Sequence, residues 1–231
     1  MRFLEMKKLL FSKKNPINLI KTNSNKIFNF LNNESLWHYK NNKLYADFIS
    51  NENNINFPDG KYISSKLNLK QQRGPSITKC FILSNFAKSK KHFFIANCNR
   101  QKLNKITGIP LNNIEVYNPP YISEFEFSED IKTKMLRLIK KFNPDYIWVA
   151  IGAPKQEILS NQLFSLYKCK YINIGAAIDF LTKDKSEAPR IWVNLKIEWL
   201  YRLITDFKHS KKKVYRSIIG LRYLKCIDTK K

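Results

Sequence analysis

The sequence predicts an α/β protein built on a mostly parallel sheet flanked by helices, with a helical appendage at the C-terminus. Three observations carry that expectation. Tyr146–Ile151 is a continuous apolar run ending at Gly152, and Tyr171–Ile174 is a second, ending at Gly175; each reads as a short buried strand. Between them Ile158, Leu159, Leu163 and Leu166 recur at helical spacing. Strand, helix and strand within about 30 residues form a unit whose strands must run parallel. The same alternation extends upstream to residue 57, the pattern of a doubly wound sheet.

Parallel strands place the Gly152 and Gly175 turns on one edge of the sheet, the edge at which open α/β sheets bind ligands. Pro154 suits the first position of the intervening helix, because the amide it lacks would be unpaired there. The amides near Lys155–Glu157 then form an anion site, with charge from Lys155 and hydrogen-bonding groups from Gln156 and Glu157. An ordinary βαβ unit with a solvated Lys-Gln-Glu turn is the competing reading.

Upstream, Met1–Leu10 reads as a basic, mildly amphipathic helix or arm, and Ile27, Phe28 and Phe30 fit a strand. A helix is expected from Glu34 to Ile49, followed by a polar turn over Asn51–Asn56. Phe57–Ile63 places Asp59 and Gly60 in a loop, and Pro-Asp-Gly is a turn sequence in its own right. Ile77–Ala87 reads as a helix, His92–Ala96 as a buried strand and Ile114–Tyr117 as another. Phe127–Phe142 is an amphipathic helix with Ser128 at its N-cap. No G-x-G-x-x-G and no Walker lysine motif is present, so dinucleotide and P-loop readings have no support.

The appendage begins near Pro189. Trp192, Leu195, Trp199, Leu203 and Phe207 form an apolar stripe, and Lys208–Lys231 then holds nine Lys or Arg residues against one acid, Asp228. A basic amphipathic helix of this kind lies on anionic lipid. Packing of the stripe on the core and a solvated basic end are the competing readings. Residues 1–189 thus read as the core and 190–231 as an appendage, and a chain ending at Pro189 is expected to keep its fold.

The chain has 231 residues, 43% hydrophobic, with a formal charge of +24. That length suits one substantial domain plus an appendage. The charge attracts anions: nucleic acid, anionic lipid or phosphorylated substrates. Cys80, Cys98, Cys169 and Cys226 are scattered, which suggests neither a zinc site nor a disulfide framework. No apolar run approaches the ~20 residues of a transmembrane helix, and the N-terminus makes a poor signal peptide. A cytoplasmic protein held at a membrane surface is expected.

GAPKQE resembles the G-x-P-K-Q-E segment of the WecG/TagA/CpsF glycosyltransferases, a Rossmann-like family. The segment that follows resembles the same family: G-x-x-x-D-F over Gly175–Phe180, A-P-x-W over Ala188–Trp192 as A-P-R-I-W, and L-E-W-L-Y-R-L as I-E-W-L-Y-R-L ending at Leu203. Upstream, Asp59-Gly60 matches the D-G at which a strand ends, Arg73-Gly74-Pro75 resembles a shortened R-x-x-G segment, and Pro119-Pro120 resembles the P-P segment. The resemblance implies an inverting transfer without a bound metal or cofactor. It assigns Asp59 as the base and gives the diphosphate to basic residues of the appendage. Arg202 matches one directly, while His209 and Lys212 stand where the family has arginines. Lysine keeps the charge but not the bidentate fork, and histidine is charged only when protonated.

Substrate contacts are implied for Asn33, Gly60, Gly152, Lys155, Gln156, Glu157, Gly175, Asp179 and Arg190. Asp179 serves equally as a cap for the following turn, and Arg190 as an anchor for the tail. Departures from the family pattern fall at Leu31, Tyr62, Asn97, Cys98 and His209. The resemblance implies transfer of an N-acetylmannosamine-type sugar, or its uronic acid, from a UDP-sugar to an undecaprenyl-diphosphate-linked N-acetylglucosamine acceptor, at the inner face of the plasma membrane. A catalytically impaired membrane-bound relative and a basic nucleic-acid-binding protein are the rival readings; nucleic acid is not the expected partner.

Overall fold

A computed structural model describes residues 8–22, 25–182, 192 and 207–229. Its centre is a six-stranded sheet of β2 (Ile27–Leu31), β3 (Asn54–Pro58), β4 (His92–Ile95), β5 (Ile114–Tyr117), β6 (Tyr146–Val149) and β7 (Lys170–Asn173), in the order β3-β2-β7-β6-β4-β5. Every pairing is parallel. All six strands therefore end at one edge, and the turns after β2, β3, β6 and β7 share it.

The apolar runs are continuous because both faces of the sheet are covered. Phe94, Tyr146, Trp148, Phe28 and Ile172 pack on one face with Phe81, Ile82, Leu103 and Ile178. Phe93, Ile95, Ile147, Val149 and Tyr171 pack on the other with Met135, Ile139, Leu159 and Leu163. Connections that move toward β3 carry α2 (Asn33–Asn41), α3 (Lys43–Ser50), α8 (Glu129–Phe142) and α9 (Lys155–Leu166). Connections that move toward β5 carry α5 (Gly74–Ile82), α6 (Asn85–Lys88) and α7 (Arg100–Thr107) on the opposite face, as right-handed crossovers require.

Polar side chains also enter the core, and one set of them is partnered across strands. Asn29 donates to Asn54 and Asn56 at 2.9 and 2.8 Å, and accepts from Asn173 at 2.7 Å. Ser160 of α9 donates to Asn173 at 2.6 Å. This ladder ties β3, β2, β7 and α9 together, and a slip of one residue would break all of it. His92 is buried and accepts the Trp148 indole N–H on Nδ1 at 3.0 Å, so its proton sits on Nε2 and points to the Ala87 carbonyl at 2.9 Å. Burial lowers its pKa to about 4, and the ring is neutral.

Several elements differ from expectation for local reasons. The single helix foreseen from Glu34 to Ile49 is two helices, because Asn42 ends α2 and its side chain accepts the Tyr45 N–H to start α3. The helix foreseen over 77–87 starts earlier, at Gly74-Pro75, and breaks at Ser84, whose hydroxyl accepts the Ala87 N–H. Ser128 occupies the N-cap of α8 but makes no side-chain capping bond. Pro154 precedes the first residue of α9 rather than filling it, after a cis Ala153–Pro154 bond. Within the expected N-terminal arm, residues 1–7 lie outside the described part. Leu9–Phe11 is a strand, β1.

That strand pairs in parallel with β8 (Ile227–Thr229), so the described end of the chain returns to its beginning. The tail helix Phe207–Gly220 packs on α2, and residues 221–226 continue it as a 3-10 turn. Leu9, Phe11, Leu31, Leu36, Tyr39, Ile63 and Ile227 share a third buried cluster. The described tail is built into the core more tightly than its basic sequence suggests, and a cut at Pro189 uncovers this cluster. Of the apolar stripe, Trp192 is described, helical and half-buried, and Phe207 opens the tail helix; the residues between them lie outside the described part. No helix among the described residues is long and apolar enough to cross a membrane.

Candidate active site

β3 ends at Pro58, and Asp59 follows at the sheet edge with its N–H on the Leu31 carbonyl at 2.9 Å. The returning segment 71–74 wraps it. Gln72 N–H reaches the Pro58 carbonyl at 2.8 Å, the Gln71 amide donates to the Asp59 carbonyl, and Gly74 N–H donates to Asp59 Oδ1 at 3.1 Å. The carboxylate is thus oriented by the backbone at the start of α5. Nothing in the spacing signals this bond beyond the glycine itself.

Gly60 opens α4 (Lys61–Lys66) in close contact with the neighbouring strand end. A Cβ there would meet Asn32 Cα and Asn33 Oδ1, each at 3.4 Å. The fold therefore brings Asp59, Gly60 and Asn33 together. Asn32 is the N-cap of α2, with its side chain accepting the Ser35 N–H at 3.2 Å, which places Asn33 in the first turn. Asn33 Oδ1 is buried without a hydrogen-bond partner.

The two glycine turns stand farther along the same edge. Adjacent strands are ~4.8 Å apart, so the ends of β3 and β7 are separated by about 10 Å and those of β3 and β6 by about 14 Å. Gly152 has φ +84° and Gly175 φ +53°, conformations that side chains disfavour, and a Cβ at either would meet no atom of the described residues within 4 Å.

At the start of α9 the three residues diverge. Lys155 is half-buried; its amine donates to the Ile122 carbonyl and lies 5.1 Å from the centre of the Tyr121 ring. Desolvation lowers its pKa, against an opposing pull from Glu124. Gln156 and Glu157 are buried. The expected anion site is partly consumed from within, because the Gln156 N–H bonds to the Gly152 carbonyl at 3.1 Å and Glu157 takes its own backbone N–H. Burial pushes the Glu157 carboxyl up to about 7, with Gln156 opposing and the charge of Glu34 adding to it. Asp179 is half-buried on α10 (Ala177–Leu181), which packs on α5.

The tail reaches this edge from the side of α2. Gly220 lies so close to Asn33 that a Cβ would fall 1.8 Å from its carbonyl oxygen. Arg216 places Nη1 3.6 Å from Glu34 Oε1 and its guanidinium 4.8 Å over the Trp37 ring. Neither contact was foreseen, since nothing in the spacing pairs residues so distant in the chain. Lys212 is exposed on the tail helix. The side chain of His209, like Arg190 and Arg202, lies outside the described part. Among the described residues no three His, Cys, Asp or Glu side chains gather as a metal site.

An oriented carboxylate beside glycine turns suits group transfer from a nucleotide-borne donor more closely than it suits a charged docking face. Comparison with known families agrees. The model of the glycosyl transferase WecG/TagA/CpsF family matches residues 12–227, nearly the whole chain, and the chain belongs to that family. It is a glycosyltransferase, and membership implies a nucleotide-sugar donor and a lipid-linked acceptor.

Proposed function

We propose that the chain transfers an N-acetylmannosamine-type sugar, or its uronic acid, from UDP to an undecaprenyl-diphosphate-linked N-acetylglucosamine, with inversion and without a metal. The observation that carries this reading is Asp59, held by the Gly74 N–H at the same sheet edge as the Gly152 and Gly175 turns. Asp59 takes the proton of the acceptor hydroxyl as that oxygen bonds to the anomeric carbon. The bond from that carbon to the UDP oxygen breaks, and UDP leaves with the electron pair. Asn33 and Gly60 border the reacting centre; Gly152, Lys155, Gly175 and Asp179 border the donor. Arg190, Arg202, His209 and Lys212 supply positive charge to the leaving diphosphate, where such charge lowers the barrier most.

The exposed basic face of the tail, including Lys211 and Lys213, holds the protein against the anionic inner face of the plasma membrane, where the lipid-linked acceptor resides. A thermal-shift comparison tests the donor assignment. UDP raises the melting temperature, ADP and NAD do not, and EDTA leaves the UDP effect in place. Stabilisation that disappears with EDTA contradicts the metal-free reading.

A further inference from the structure

Gln156 and Glu157 match family positions, yet they are only 4% and 1% exposed. Their side chains are engaged with each other and with the next turn. Gln156 Nε2 donates to Glu157 Oε1 at 2.8 Å, and Gln156 Oε1 accepts the Gly175 N–H at 2.9 Å. The chemistry of an amide makes these two bonds interdependent. Its two ends are nearly alike in shape but opposite in polarity. Reversed, the NH2 group would face the Gly175 N–H, donor against donor. An acceptor at position 157 holds the NH2 end and so turns the oxygen toward Gly175. Tyr45 and Glu34 approach Glu157 from α3 and α2.

We propose that Glu157 is a positioning residue: it fixes the direction of the Gln156 amide, which pins the Gly175 turn in the conformation that receives the donor nucleotide, and it touches no substrate itself. This rests on the reading of the Gly175 turn as a donor contact. The turn meets that role structurally. Its backbone is left-handed, a Cβ on Gly175 would meet no atom of the described residues within 4 Å, and its own N–H is tied back to α9 through Gln156.

The test has two readouts on the full chain. Exchange of the Gly175 amide, followed without nucleotide, reports the hydrogen bond itself. Glu157→Leu and Gln156→Leu are expected to speed that exchange on the order of tenfold, whereas Glu157→Gln, which still presents an acceptor oxygen, restores protection. UDP affinity is expected to fall about threefold to tenfold in either Leu variant. The double variant loses no more than Gln156→Leu alone, because Glu157 acts through Gln156. Glu157→Met, unbranched and nearer glutamate in length, serves the same comparison if Glu157→Leu does not fold. Unchanged Gly175 protection in the folded Glu157 variant overturns the proposal. So does UDP binding equal to wild type, or a double variant whose losses add. A wild type with the expected exchange pattern that binds no UDP overturns the donor reading instead.

Discussion

Asp59 and Glu157 show how carboxyl side chains take two different roles near one sheet edge. Asp59 is half-buried at the sheet edge and oriented by the Gly74 N–H. Replacing it with Asn keeps the shape and the contact to Gly74 but removes the proton acceptor. Turnover with a lipid-linked acceptor is expected to fall about 10²–10⁴-fold with UDP affinity nearly intact. A steady-state assay that finds unchanged turnover contradicts the assignment.

Glu157 is shut in, and its carboxyl is raised from 4.5 to about 7 by burial. Between those values the folded chain holds a proton that the unfolded chain has released. Stability therefore falls as pH rises through this window, by on the order of 3 kcal/mol in all, and no further above it. Glu157→Gln is neutral at every pH and removes that loss. Its melting temperature is expected to exceed the wild type's at pH 8, with the gap closing toward pH 5. A gap independent of pH shows that the carboxyl does not titrate in this window.

At the scale of elements, the strands were the most legible part of the sequence. The apolar runs at 92–96, 146–151 and 171–174 each supplied a buried strand, because only a sheet covered on both faces accepts such runs, and the mixed stretch 114–117 became the half-buried edge strand β5. Helix ends were less legible. Asn42 and Ser84 divide apolar periodicities that run on without interruption, and their capping bonds decide the matter locally. The gathering of Asp59, Gly60, Gly152 and Gly175 at one sheet edge was legible in outline, since parallel strands bring their turns to the same edge. The engagement of Gln156 with Gly175 was not, because a buried amide and a solvent-facing one are written with the same letter.

The docking of the tail helix on α2 was also hidden in the sequence, as it depends on Gly220 meeting the Asn33 backbone. Gly220→Ala is expected to push the helix off that turn, costing about 1–3 kcal/mol, and to lower transfer because Asn33 moves with it. Thermal melts and turnover measured together check this. An alanine variant with wild-type melting and activity shows that the close approach is unimportant.

For the molecule as a whole, the parallel pairing of β1 with β8 joins the described ends of the chain, and the third buried cluster lies beneath them. The basic sequence of the tail displayed its charge but not this packing, because long-range pairing of two three-residue strands leaves no periodic signal. A chain cut at Pro189 is expected to melt well below the full chain and to lose both liposome binding and transfer. Co-sedimentation with anionic vesicles, beside a thermal melt, checks it. A truncated chain that melts like the full one means that the tail contributes nothing to the core.

The central claim is inverting transfer by Asp59 at this sheet edge. Its most direct measurement incubates the full chain, and its Asp59→Asn variant, with UDP-N-acetylmannosamine and a short-chain polyprenyl-diphosphate-linked N-acetylglucosamine, and determines the anomeric configuration of the disaccharide. The account predicts a product of opposite configuration to the donor from the wild type and almost none from the variant. A product that retains the donor's configuration, or one formed equally well by Asp59→Asn, contradicts it.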